Sequence, residues 1–270
     1  MRIARVFPRR TNATPTDELV FTDAPGLFPP KVDEVHVSVA FTWDMPKAER
    51  LAREWARVAP VKIGGPATGE RSGDFVPSLY VKPGYVITSR GCPNQCWFCS
   101  VWKREGDIRE LPITEGWNVL DDNLLACSED HIQAVFVMLK RQPQRAEFTG
   151  GLEAKLLKPW HVELLRDLKP ESVFFAYDTP DDLEPLMAAG KLLDPSPAHN
   201  TRCYVLIGYP RDTFEAAERR LMQAVDAGFF PMAMLWRDDN GRYSRDWKQF
   251  QRTWVRPEII RHKIRELVSR

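Results

Sequence analysis

The chain has 270 residues, room for one large domain or one domain with a small extension, and at 43% hydrophobic and 28% charged it has the balance of a folded globular protein. Its 38 basic and 37 acidic side chains leave a formal net charge of +1, so no global field points to nucleic acid, although a local basic face stays open. No apolar run approaches the ~20 residues that span a bilayer; the opening MRIARVFPRR lacks a signal-type apolar stretch, and the cytoplasm is the expected compartment.

In chain order, VDEVHVSVAF reads as a strand, KAERLAREWARV as an amphipathic helix and VKIGG as a second strand ending at Gly64-Gly65. This is one βαβ unit, too small for a complete Rossmann domain. Residues 66–80 form a Gly-, Ser- and Pro-containing link. From residue 84 the pattern becomes strand, loop, helix. GYVIT (84–88) predicts a strand running into a cysteine loop, and NVLDDNLLA (118–126) predicts the second strand. Ser128 is placed to cap the next helix, with Ile132, Val135, Phe136 and Leu139 on one face. AEFT (146–149) leads into Gly150-Gly151. Pro159 opens a helix with a Leu164, Leu165, Leu168 stripe. SVFFAY (172–177) is a strand, and Thr179-Pro180 opens a helix with Asp182 at the reciprocal capping position and Leu183, Leu186 and Met187 facing inward. RCYVLI (202–207) is a strand. Asp212, with Glu215, is expected to cap a helix that buries Phe214, Ala217, Leu221 and Val225 and stops at Gly228. FPMAMLW (230–236) is the last strand, and the tail carries Trp247, Trp254 and the basic amphipathic helix RPEIIRHKIRELV.

About six continuously apolar strands joined by helices predict a parallel sheet covered on both faces. The expected class is α/β, a partial (β/α)6 TIM-like barrel with a small N-terminal βαβ extension and a helical C-terminal tail. The expected divisions are 1–80, 81–237 and 238–270.

Five cysteines are present, three of them packed into Cys92-Pro93-Asn94-Gln95-Cys96-Trp97-Phe98-Cys99. An odd count with one tight cluster reads as a metal site rather than a disulfide framework. The spacing is C-x3-C-x2-C. Three thiolates suit a [4Fe-4S] cubane and leave one iron without a protein ligand, open to a chelating substrate. A zinc knuckle or an electron-transfer cluster is the alternative, with a fourth ligand from Cys127, Cys203 or a histidine. His36, His131, His161, His199 and His262 show no ligand spacing.

C-x3-C-x2-C with an aromatic just before the third cysteine resembles the signature of the radical S-adenosylmethionine (SAM) superfamily, and residues 84–236 are similar to its core. The resemblance implies that Cys92, Cys96 and Cys99 hold one [4Fe-4S] cluster, reduced by a flavodoxin or ferredoxin. It implies cleavage of SAM to methionine and a 5′-deoxyadenosyl radical that abstracts hydrogen from a substrate. Glu153, in Thr149-Gly150-Gly151-Leu152-Glu153, resembles the ligand of the SAM amino group, although Leu152 interrupts the simpler Gly-Gly-Glu pattern; a turn with a surface Glu is the plainer reading. Asp178 is placed for ribose or substrate, or equally for a helix cap. Gly208 resembles the segment beside adenine, or makes a tight turn. Phe98, with Trp97, flanks the adenine or packs the loop. Asp122 and Asn123, read as polar residues within the second strand, and Arg237, at the end of the last strand, are substrate-site candidates. Cys127 and Cys203 read as structural.

The string from KIGGP through the cysteine loop also resembles members with an N-terminal cobalamin-binding domain. No D-x-H-x-x-G segment is present, so cobalamin and a cobalamin-dependent methylase are not favoured. Without a second cysteine cluster, methylthiotransferases fit poorly. From a different class, a non-catalytic iron-sulfur or zinc module that uses its basic C-terminal helix to bind a partner stays open.

Overall fold

The computed structural model describes residues 1–193 and 200–268, and its contacts divide the chain into two compact units, Met1–Gly116 and Trp117–Arg270. The first unit opens with β1 (Ile3–Val6) and β2 (Val20–Phe21), followed by β3 (Glu34–Ser38), α1 (Met45–Trp55) and β4 (Val61–Gly64). These strands make one parallel sheet in the order β2-β1-β3-β4. Ala48, Leu51 and Trp55 of α1, spaced one helical turn apart, pack against Ala4, Val6, Val35, Val37 and Val39. Each large side chain buried this way contributes roughly 1.5–3 kcal/mol.

The N-terminal region is thus more than the single βαβ unit that its sequence suggests. β1 is masked in sequence by Arg5, a charge in the middle of a short apolar run. In the fold Arg5 is buried because it is paired: it bonds Asp17 and donates to the carbonyls of Ser78 and Leu79 at 3.3 Å each.

The first unit continues with β5 (Tyr85–Val86), β6 (Ser89–Arg90), α2 (Val101–Glu105) and β7 (Arg109–Glu110). The strand expected over 84–88 stops at Val86, because Ser89–Arg90 turns away into an antiparallel ladder with Arg109–Glu110.

The second unit alternates strand and helix: β8 (Asn118–Val119), α3 (Glu129–Lys140), β9 (Glu147–Leu152), α4 (Pro159–Leu168), β10 (Ser172–Tyr177), α5 (Leu183–Leu193), β11 (Thr201–Ile207), α6 (Phe214–Asp226) and β12 (Phe230–Leu235). Sequential strands from β8 to β12 are neighbours, all parallel. Ser128 caps α3, accepting from the His131 amide at 3.3 Å, and Ile132, Val135, Phe136 and Leu139 are buried as expected. Asp182 accepts from the Thr179 amide at 2.7 Å, closing the capping box ahead of α5.

Two local expectations fail. β8 ends at Val119, so Asp121, Asp122 and Asn123 lie in the loop beyond it rather than within a strand. The cap of α6 is Thr213, whose hydroxyl accepts from the Ala216 amide at 3.2 Å. Asp212 is withdrawn from capping by a buried ion pair with Arg220 at 2.8 Å, and Phe214 faces outward, 40% exposed.

The tail forms α7 (Arg245–Thr253) and α8 (Pro257–Val268). Trp254 is fully buried; its carbonyl accepts from the Ala233 amide, and Gln251 Nε2 donates to the Ala233 carbonyl, both at 3.0 Å. The tail therefore lies along β12. No described helix is long and apolar enough to cross a membrane.

Candidate active site

The cysteine loop belongs to the first unit and is closed at both ends by backbone contacts. Gly91 has a φ of +91°, and a β-carbon there would fall 2.2 Å from the Asp107 carbonyl oxygen. Only glycine permits this approach. The Cys92 amide donates to the Gly106 carbonyl at 3.1 Å, so the residue that ends α2 holds the loop from behind. The Cys99 amide donates to the Cys96 carbonyl at 3.1 Å, and Trp102 Nε1 donates to the same oxygen at 3.1 Å. Cys92, Cys96 and Cys99 are all half-buried thiols outside any disulfide. Trp97 is 54% exposed and meets Phe98 edge to face, ring centroids 5.4 Å apart.

A charge cluster unseen in the sequence anchors α2, the helix that follows the loop. The carboxylate of Glu105 is buried, accepting from the Ser72 hydroxyl at 2.6 Å and Arg104 Nε at 2.9 Å, with Arg109 3.6 Å away. Burial alone would raise its pKa, but the bonds from Ser72 and Arg104 outweigh burial and hold it below 4.5. The i, i+4 spacing of Glu105 and Arg109 was the available signal; Ser72 comes from the link, which no periodicity marks.

Among the described residues, no three Cys, His, Asp or Glu side chains converge on a single-ion site. Three thiols on one closed loop fit a cubane, which takes its thiolates on separate irons.

In the second unit, the parallel strands place the other candidates at their carboxyl ends, the edge where α/β sheets gather ligands. After β8, Asn123 is buried and its Nδ2 donates to Glu153 Oε2 at 2.6 Å, just past β9. Asp122 is half-buried in the same loop. Gly150 backs onto that loop: a β-carbon would fall 2.4 Å from the Asp121 carbonyl oxygen. Gly151 follows within β9. Asp178 follows β10, half-buried; burial and the nearby Asp182 carboxylate raise its pKa to about 7 from the ordinary 3.8, against the lowering effect of a bond from the Leu206 amide. Gly208 follows β11 with its amide donating to Asp212 at 2.8 Å. Arg237 follows β12 with its guanidinium 4.6 Å from the Tyr243 ring centre. Asn123 and Glu153 are thus brought into contact, whereas Gly208 and Arg237 are engaged by their own local turns. Cys203 is fully buried and Cys127 half-buried, and His199 lies outside the described residues.

No family model matches the chain. Part of it is similar to ribosomal protein uS12 methylthiotransferase RimO of Actinobacillus succinogenes, 30% identical over 138 residues, covering 44% of this chain and 30% of that protein. The protein of the same name from Mannheimia succiniciproducens is 30% identical over 125 residues, covering 40% of this chain and 27% of its own length. Together with the C-x3-C-x2-C loop, this likeness supports membership of the radical SAM superfamily. The match spans less than a third of the length of these curated relatives. Residues 1–91 hold a parallel sheet and no cysteine.

Proposed function

We propose that the chain is a radical SAM enzyme in which Cys92, Cys96 and Cys99 hold one [4Fe-4S] cluster. The observation that carries this reading is the closed three-cysteine loop, with a thiolate set that leaves one iron open. The chemistry supplied there when the cluster is bound is one-electron cleavage of SAM to methionine and a 5′-deoxyadenosyl radical, which takes a hydrogen atom from the substrate. The work of this chain is to hold and orient. Gly91 and the Gly106 carbonyl fix the loop, and Glu105 fixes the helix after it. In the second unit, consecutive parallel strands joined by helices are the pattern of a partial barrel; residues 81–237 are assigned as the radical SAM core. Glu153, oriented by Asn123, is assigned to the SAM ammonium, with Gly150 and Gly151 beside it. Asp178 and Gly208 are assigned to the nucleoside, Phe98 to the adenine side of the loop, and Asp122, Asn123 and Arg237 to the substrate. A flavodoxin or ferredoxin is the reductant.

The activity in the relatives' names, methylthio transfer to a ribosomal protein, is not carried over. Outside the loop only Cys127 and Cys203 remain, and Cys203 is fully buried, so a second cysteine cluster has no ligand set. Cobalamin is not assigned either. His36 is the sole histidine before residue 131, and both its ring nitrogens are hydrogen-bonded within the first unit.

The test is anaerobic reconstitution with iron and sulfide, reduction, and EPR with and without SAM, with 5′-deoxyadenosine assayed in the same tubes. A cluster signal that changes with SAM, with deoxyadenosine formed, is expected. A protein that takes only zinc, or a cluster indifferent to SAM, refutes the reading in favour of a binding module.

A further inference from the structure

The first unit contains a cavity of about 430 Å³ on its parallel sheet, lined by Phe7, Val39 and Ile63 as apolar wall and by His36, Lys62 and Tyr80 among its polar groups. That volume suits a ligand up to roughly nucleoside size. Strand order β2-β1-β3-β4 reverses direction between β1 and β3, and the loops leaving those strands bound the cavity at Phe7 and Val39. In open α/β sheets this reversal point is where ligands settle.

Across the sheet the register sets Arg5 beside His36 and His36 beside Lys62. Glu34 lies two residues from His36 on β3 and so shares its face. Lys62 Nζ donates to both Glu34 oxygens, at 2.8 and 2.9 Å. Glu34 Oε2 lies 2.9 Å from His36 Nε2, and His36 Nδ1 lies 2.6 Å from the Tyr80 hydroxyl. Arg5 grips the carbonyls of Ser78 and Leu79, which fixes the segment that delivers Tyr80. The roles follow from the chemistry of the groups. The bonds from Lys62 and His36 hold the Glu34 carboxyl below its ordinary value, so it only accepts, and His36 Nε2 must carry hydrogen. In the neutral imidazole Nδ1 then accepts, and the Tyr80 O–H points at it. A hydroxyl backed by an imidazole that is itself oriented by a carboxylate is the arrangement that activates an oxygen.

We propose that Glu34, His36 and Tyr80 form a second, acid–base site in this chain, serving a small molecule with an apolar body and a hydroxyl or N–H group. The Tyr80 oxygen takes the proton of that group while its own proton passes to His36 Nδ1. The imidazolium so formed is held by Glu34, whose charge Lys62 maintains, and the ligand is left as its conjugate base. The charged and titratable groups facing Tyr80 are His36, Glu34, Lys62 and Arg5. Burial raises the Tyr80 pKa, so without the relay this phenol would be a poor nucleophile. The site stands apart from the cluster reading and survives its failure.

Benzenesulfonyl fluoride is a suitable probe. The Tyr80 oxygen bonds to sulfur, the S–F bond breaks, fluoride leaves and the proton goes to His36. On the full-length protein, peptide mass spectrometry is expected to find Tyr80 labelled faster than Tyr243, which is of similar exposure at 44% against 41%. His36→Phe is expected to slow Tyr80 by on the order of 100-fold, the contribution of a positioned base, while Tyr243, read in the same sample, holds its rate. Glu34→Gln, a milder change, is expected to slow Tyr80 several-fold. Labelling of Tyr80 no faster than Tyr243, or indifferent to both substitutions, overturns the proposal.

Discussion

The β-carbon that any residue but glycine would place at position 91 falls 2.2 Å from the carbonyl oxygen of Asp107. The cysteine loop is therefore closed by contact between two backbones rather than by side-chain packing. Gly91→Ala must open that contact and also hold alanine at a φ of +91°. The expected loss is about 2–4 kcal/mol, read by denaturant unfolding, together with lower iron content after reconstitution. An alanine variant with unchanged stability and iron would show that the loop closes some other way.

Glu105 is the negative centre of a buried cluster whose cations are Arg104 and Arg109. Glu105→Gln removes the charge and leaves the arginines uncompensated, a change expected to destabilise by about 3 kcal/mol at neutral pH. Because the folded-state pKa of Glu105 lies below 4.5, the stability it contributes is present above 4.5 and is lost as pH falls through the folded value. The gap in Tm between wild type and variant should therefore close on going from pH 7 to pH 3. A gap independent of pH would mean that shape, not charge, is what Glu105 supplies.

Glu153→Ala is expected to weaken SAM binding at least tenfold while leaving iron content unchanged, since Glu153 is bonded by Asn123 in the second unit. Cys96→Ala is expected to lose the cluster and SAM cleavage together. Calorimetric titration with SAM and iron analysis separate the two. Equal SAM affinity in wild type and the Glu153 variant removes Glu153 from the site.

Asp178 titrates in the opposite sense to Glu105. Its folded pKa of about 7 lies above the ordinary 3.8, so the folded state binds the proton more tightly. Stability should fall as pH rises from about 4 to 7 and then level off. Asp178→Asn, which keeps an acceptor for the Leu206 amide, should raise Tm at pH 8 and leave it nearly unchanged at pH 4. A loss of stability at pH 8 would count against a strained carboxylate.

Where the chain follows simple periodicity, its structure was legible in advance. Ser172–Tyr177 is a strand over the range that its apolar run marks, and α3 buries the four residues that helical spacing selects. Two of the misreadings share a cause, a polar group held by a partner that periodicity does not mark. Arg5 concealed β1 because its partners, Asp17 and the Ser78–Leu79 carbonyls, are not neighbours along the chain. Asp212 looked like a cap because Arg220 could not be foreseen as its partner. The cysteines proposed as ligands are contiguous, and Glu153 stands beside its glycines, so both could be proposed from sequence; the Asn123 contact with Glu153 could not. Neither could the proposed relay from Glu34 to Tyr80, whose His36–Tyr80 bond joins a strand to an irregular link 44 residues away.

The two bonds between the tail and Ala233 also bear on how the protein behaves when cut. A strand at the margin of a sheet is a template on which another chain can build, and here that margin is occupied by Trp254 and Gln251. Proteolysis in the Arg237–Ser244 loop, followed by departure of the tail, would strip this hem. The remaining fragment would then present an unpaired strand margin to other copies of itself.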